Sequence, residues 1–207
     1  MTSTRTLLAA SAALVAALTL AACAPTEPAS MSQPAASAPA TELKGDATEF
    51  NEADIMFAQV MIPHHLQAVE MSDTLLAKTG ISAETVALAE EIKAAQEPEI
   101  AQLNALLVAW GFDKMTAVDD MAGMDHSSDM MTDDDMTALD AATGPDAERL
   151  FLEQMIKHHE GAIDMASPQV IDGKNADAVE LAESIEGAQQ KEISTMKKLL
   201  AALPAAG

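Results

Sequence analysis

The sequence predicts an all-α protein, a four-helix bundle made of two duplicated helical hairpins. The first observation is a repeat, because residues 57–71 recur as residues 151–165 and residues 86–96 recur as residues 179–189. The second is periodicity, since apolar residues return at every third or fourth position. The third is the weakness of strand signals, with no tyrosine and a single tryptophan. Two hairpins that each carry one apolar face bury those faces by pairing.

Capping and breaking residues set the predicted helix limits. Asn51 and Ser82 are side chains suited to cap a helix start, and Pro145 occupies a first-turn position where proline is tolerated. Gly80 marks a turn between the first two helices. The four predicted helices cover about 51–78, about 82–110, a segment that opens at Gly144-Pro145, and about 175–202.

Residues 1–22 are predicted to be a lipoprotein signal peptide. Arg5 is followed by an apolar run, Leu7 to Leu20, that is short for a membrane-spanning helix. The run ends in Leu20-Ala21-Ala22-Cys23, which resembles a lipobox, so Cys23 is the predicted lipidation site. An ordinary signal peptide, with Cys23 incidental, is the alternative. The expected location is therefore outside the cytoplasmic membrane, as an exported, membrane-anchored lipoprotein on its outer side or in the periplasm or cell envelope.

The rest of the chain divides into a tether and one domain. Residues 23–45 are rich in Pro, Ala, Ser and Thr and predict a flexible tether. Residues 46–207 are long enough for one bundle with a proper core. The formal net charge of -22 repels nucleic acid and anionic membrane surfaces and attracts cations.

The repeated string carries four of the five histidines of the chain beside several methionines. On a helix that advances about 100° per residue, with Met61 at zero, His65 lies at about +40°, His64 at about -60° and Met71 at about -80°. These side chains share the apolar arc and surround the small Ala68. Imidazole and thioether are ligands of soft, late transition metals. The candidate metal ligands are Met61, His64, His65, Met71, Met155, His158, His159 and Met165.

The ligand types favour copper, and Cu(I) in particular. A di-iron bundle uses Glu-x-x-His, but Met61 and Met155 stand where the glutamates would be required. Structural zinc more often recruits cysteine, and the domain has none. The alternative is that the methionines only fill the core and the histidines are satisfied by hydrogen bonds. Whether the clusters form one site or two is open.

The segment between the repeats, about 112–144, is a crossover rich in methionine and aspartate. Its composition predicts an acidic, disordered connection that is too polar for the core. Methionine and histidine within it could capture Cu(I) loosely, as an auxiliary site. The residues concerned are Met121, Met124, His126, Met130 and Met131.

Two features suggest a known family, the stretch Phe50-Asn-Glu-Ala-Asp54 and the doubled Met-x-x-His-His that begins at Met61 and Met155. Through these features, residues 46–203 resemble domain-of-unknown-function family 305. The resemblance implies a ferritin-like bundle, export and, for some members, copper binding and copper tolerance. It implies the same eight ligand positions named above. The usual proline before the histidine pair is present as Pro63 but is replaced by Lys157 in the second copy.

The predicted function is that of an extracytoplasmic copper-binding lipoprotein in copper homeostasis. It would sequester Cu(I) or hand it to a copper-transfer protein. The alternatives are a di-metal ferritin-like oxidase and a structural or partner-binding bundle. The sequence shows neither a Ser-His-Asp pattern nor a Gly-rich phosphate loop, so no enzyme activity is predicted.

Overall fold

The computed structural model describes residues 48–117 and 130–204, and those two segments contain five helices and no strand. Helix α1 pairs with α2, α4 pairs with α5, and the two hairpins meet mainly through α1 and α4. The predicted all-α bundle of two helical hairpins is therefore confirmed. The helices are α1 (Glu52–Leu76), α2 (Ala83–Ala109), α3 (Asp133–Ala141), α4 (Gly144–Asp172) and α5 (Ala176–Ala202).

The helices begin where the capping residues predict. Asn51 forms a capping box with Asp54, Ser82 caps α2, and Asn175 caps α5. The first helix ends at Leu76, two residues earlier than predicted. Gly80 in the following turn has a φ of 80°, a left-handed conformation that glycine adopts at little cost.

Two buried carboxylates fasten each hairpin to the other. Asp54 of α1 accepts backbone N–H groups of Lys174 and Asn175, at 3.1–3.2 Å, at the turn between α4 and α5. Glu148, the corresponding residue of the second repeat, accepts the N–H of Ser82 at 3.2 Å and the Thr85 hydroxyl at 2.5 Å, at the start of α2. Each repeat therefore accepts hydrogen bonds from donors at a helix start of the other repeat. These bonds set the position in which the two hairpins dock.

The crossover contains a helix that the sequence analysis did not predict. Three aspartates in the first turn of α3 face the positive end of its dipole, and Thr132 forms a capping box with Asp135. Leu139 is fully buried and Met131 is 6 % exposed, so part of this polar segment does enter the core. The side-chain amide of Gln67 donates a hydrogen bond to the Met131 carbonyl and accepts one from the Met131 N–H, each at 2.8 Å. This tertiary contact places the start of α3 on α1.

The core consists of two hydrophobic clusters, and the middle turn of each long helix belongs to neither. On α2, for example, Ile92 lies in one cluster and Leu103 in the other, with the polar Gln96 between them. On α5 the polar residue in this position is Gln189. We call this level of the bundle the polar layer; its buried members are His64, His65, Gln96, His158, His159 and Gln189.

Candidate metal centre

The four histidines of the repeated string form a single cluster in the polar layer. Each is at most 1 % exposed. The rings of His64 and His158 stack across α1 and α4 with centroids 3.6 Å apart and planes inclined by 30°. The ring of His159 lies 6.3 Å from that of His158. The two repeats therefore converge on one group of imidazoles, a point that the sequence left open.

The second histidine of each pair contacts a carboxylate on the neighbouring helix. His65 Nε2 lies 2.8 Å from Glu99 Oε2 of α2, and His159 Nε2 lies 2.7 Å from Glu192 Oε2 of α5. Both glutamates are partly exposed, at 17 % and 19 % of their side chains. In each pair, then, one ring stacks on its counterpart at the centre and the other is held by a glutamate near the rim.

Six buried ring nitrogens of this cluster have no hydrogen-bond partner among the residues that the structure describes. This is true of both nitrogens of His64 and His158 and of Nδ1 of His65 and His159. Burial lowers the pKa of His64 and of His158 well below the ordinary value of 6.5, and the neighbouring imidazoles lower it further. Near neutral pH both rings are therefore uncharged, with lone pairs available to a ligand. Buried polar atoms left in this state cost stability unless something binds them, and the donors fit a metal ion.

Two glutamines complete the polar layer, and sequence reasoning did not single them out as functional. Gln96 and Gln189 are 2 % and 3 % exposed, and neither amide atom of either side chain has a partner within residues 48–117 and 130–204. Each precedes a histidine-bound glutamate by three residues, which gives a doubled Gln-x-x-Glu on α2 and α5. A polar residue that recurs in both repeats inside an apolar row was the signal that could have revealed them.

The methionines flank the polar layer on both sides. Met61 and Met155 are fully buried, one helical turn from His64 and His158, and they belong to opposite hydrophobic clusters. Ala162 shares the cluster of Met61, and Ala68 shares that of Met155. Each small alanine therefore shares a cluster with the methionine of the other repeat, as expected for antiparallel packing of α1 and α4.

Met71 and Met165 lie outside the layer, because seven residues of helix separate them from His64 and His158, about 10 Å along the axis. Met71 is fully buried. Met165 is only partly buried and lines a surface groove of about 270 Å³ between α1 and α4, together with Met56 and Asp164. The two copies differ here because α3 contacts both α1 and α4, and its Leu139 belongs to the same cluster as Met71.

The remaining predicted residues are in the crossover and the N-terminal region. Met131 is buried in the core, and Met130 is partly exposed. Met121, Met124, His126 and Cys23 lie outside the described residues, as do the predicted signal peptide and tether. In the part of the chain that is described, no three His, Cys, Asp or Glu side chains are already arranged to hold an ion. The same part contains no helix with the length and apolar character needed to cross a membrane.

Comparisons with known proteins agree with this architecture. A family model described as "domain of unknown function (DUF305)" matches residues 54–200. A DUF305 fragment from Deinococcus radiodurans is 28 % identical with a TM-score of 0.66, covering 74 % of this chain and 99 % of its own. A candidate secreted DUF305 protein from Streptomyces coelicolor is 33 % identical with a TM-score of 0.64, over 72 % and 92 % of the two chains.

A third similar structure is that of CopM in a Cu(I)-bound form. It is 29 % identical to this chain with a TM-score of 0.60, and the match covers 72 % of this chain and 95 % of CopM. CopM has also been solved in Cu(II)-bound and silver-bound forms. No curated protein sequence matches the chain.

Proposed function

The chain belongs to the DUF305 family, and we propose that it is an exported copper-binding protein that sequesters Cu(I) or hands it on in copper homeostasis. The observation that carries the proposal is the polar layer, where four buried imidazoles meet and six of their nitrogens lack partners among the described residues. Copper is the cargo of this site rather than a cofactor. The copper-bound and silver-bound forms of the similar protein CopM support the assignment.

The donor types favour Cu(I) over harder ions. Uncharged imidazole nitrogens and thioether sulfurs are soft donors, whereas iron, manganese and magnesium sites draw on carboxylates. His64 and His158 would supply nitrogens at the centre, and Met61 and Met155 are the thioethers one turn away on the same helices. His65 and His159 would complete the nitrogen donors. The four histidines and these two methionines are the proposed ligands.

The outer methionines have a separate role in this proposal, which is to pass the ion to the layer. Met56 is 49 % exposed in the surface groove that Met165 also lines. Met165 packs against the cluster that contains Met61, so thioethers extend from the surface towards the polar layer. Asp164 at the groove and the acidic surface would raise the local concentration of cations. Met71 is the counterpart on the side that α3 covers.

The location is also part of the proposal. Residues 1–22 would direct export, Cys23 would carry the lipid, and residues 23–45 would tether the domain to the outer side of the membrane. The candidate secreted protein of Streptomyces coelicolor supports export. A copper-transfer protein would then be the partner that receives the ion. The crossover residues Met121, Met124, His126 and Met130 remain proposed auxiliary ligands.

Competition with a Cu(I) chelator under reducing conditions tests the function. We expect replacement of His64, His65, His158 and His159 by alanine to weaken Cu(I) binding by about a hundredfold or more, since most of the nitrogen donors are lost. Gln190→Ala, at an exposed and uncharged position of α5, is the control and should leave the Cu(I) affinity unchanged. Circular dichroism of each variant checks that it is folded. Equal Cu(I) affinity in the fourfold variant and the wild type would refute the proposal.

A thermal measurement separates copper binding from a purely structural bundle. A ligand that binds only the folded state must raise the melting temperature, and Ag(I) offers a redox-stable probe. We expect Cu(I) and Ag(I) to raise the melting temperature of the wild type but not that of the fourfold histidine variant. A melting temperature that neither ion changes would favour a structural or partner-binding role.

A further inference from the structure

We propose that Glu99 and Glu192 are positioning residues that hold His65 and His159 in one tautomer, so that Nδ1 of each ring is reserved for the metal. The inference rests on the proposed function and deepens it, because it states which atoms of the site bind and what prepares them. Nothing in the repeated Met-His-His string predicts it, since both glutamates lie on other helices.

The contacts at each ring distinguish its two nitrogens. Nε2 of His65 lies 2.8 Å from the Glu99 carboxylate, and Nε2 of His159 lies 2.7 Å from that of Glu192. An ionised carboxylate only accepts hydrogen bonds, so a neutral ring in this position carries its proton on Nε2 and donates it. The lone pair is then on Nδ1. That atom is buried on both rings, without a partner in the described ranges.

The arrangement occurs twice, in different local sequences. The first copy reads Gln96-Glu97-Pro98-Glu99 and the second reads Gln189-Gln190-Lys191-Glu192. The intervening residues differ in charge, and Pro98 has a lysine as its counterpart, yet the histidine-to-glutamate distance agrees within 0.1 Å. A single such contact could be an ordinary surface ion pair. Its repetition on both hairpins, each time with a buried Nδ1 that has no partner in the described ranges, points to a prepared ligand.

The two kinds of histidine would then differ in their freedom. His64 and His158 have neither nitrogen fixed by a partner in the described chain and can present either one to an ion. His65 and His159 are fixed, which spares the cost of selecting a tautomer when the ion binds. Both glutamates are partly exposed and lie at the rim of the layer.

Nuclear magnetic resonance of ¹⁵N-histidine-labelled protein tests the tautomer directly. In the copper-free wild type, long-range ¹H–¹⁵N correlations should show the Nε2–H tautomer for His65 and His159. Addition of Ag(I) should then shift the Nδ1 resonance of both rings. The Nδ1–H tautomer in the copper-free protein would overturn the inference, and this measurement needs no variant.

The paired variant Glu99→Gln with Glu192→Gln tests the consequence for binding. A glutamine can donate as well as accept, so the tautomer should become mixed, and Cu(I) and Ag(I) binding should weaken by about 10–100-fold. Glu97→Gln with Glu183→Gln removes the same charge from exposed positions of α2 and α5 and should change neither quantity.

The outcomes separate this inference from the proposed function. A wild type that binds neither ion contradicts the function, whereas the tautomer measurement still reports on the glutamates. Suppose that the wild type binds both ions, and that the paired variant Glu99→Gln with Glu192→Gln keeps the same metal affinity and the same histidine tautomer. That result contradicts the positioning role of the glutamates but not the proposed function. Equal losses in the exposed control pair would mean that overall charge, and not position, sets the affinity.

Discussion

Replacement of Asp54 by asparagine should strongly destabilise the bundle, because this side chain joins the start of α1 to the turn between α4 and α5. Asp54 is fully buried. Its carboxylate accepts the side-chain amide of Gln169 at 2.6 Å, the backbone N–H of Asn51 at 2.8 Å, and the N–H groups of Lys174 and Asn175. An asparagine of the same shape turns an NH₂ group towards some of these donors and leaves them without an acceptor.

The magnitude follows from those contacts. Hydrogen bonds to a charged group contribute about 1.5–3 kcal/mol each, and a buried donor left unpaired costs about 1–3 kcal/mol. Since one oxygen remains, roughly half of the contacts survive, and loss of the charge at the helix start adds about 0.3–1 kcal/mol. We expect the free energy of unfolding to fall by about 3–5 kcal/mol. For a domain of this size that lowers the melting temperature by roughly 10 °C.

Urea denaturation followed by circular dichroism measures this loss. Glu52→Gln is the matched control, because Glu52 also lies in the first turn of α1 but is exposed. It should cost no more than about 1 kcal/mol. If Asp54→Asn costs as little as Glu52→Gln, the carboxylate does not fasten the two hairpins and the reasoning is wrong.

Three further predictions concern the other fastening residue, the histidines and the outer methionine. Glu148→Gln should lower the free energy of unfolding, measured in urea, by about 2–4 kcal/mol, because the Thr85 hydroxyl and the start of α2 lose their carboxylate acceptor. A loss below about 1 kcal/mol would contradict this. The copper-free protein should lose stability as the pH falls below 6.5, because burial keeps His64 and His158 neutral in the fold while the unfolded chain takes up protons. The free energy of unfolding should change by up to about 1.4 kcal/mol per pH unit for each ring, and this slope should decrease in His158→Gln. A slope identical to that of the wild type would contradict the prediction. Met165→Leu should slow Cu(I) uptake from a chelator several-fold in stopped-flow measurements, with little change in affinity. An unchanged rate would show that Met165 does not pass copper from the surface groove to the polar layer.

Much of the fold could be predicted from the sequence because its signals are local. The caps Asn51 and Ser82 act within their own first turns, and the helices begin there as expected. The repeat of Met-x-x-His-His is visible without any knowledge of packing. The crossover was predicted poorly, because α3 depends on Gln67 of a distant helix and on burial of Leu139, which an aspartate-rich composition conceals.

The sequence by itself determined that this protein has two similar helical hairpins, each with a histidine pair and methionines on its apolar face. Only the tertiary structure decided that the pairs form one cluster, since antiparallel packing of α1 on α4 stacks His64 on His158. It likewise decided that Glu99 and Glu192, from helices without a metal-ligand motif, hold the outer rings. The physical reason is that side-chain periodicity specifies which face of a helix is buried, whereas the choice of neighbour depends on how the helices dock.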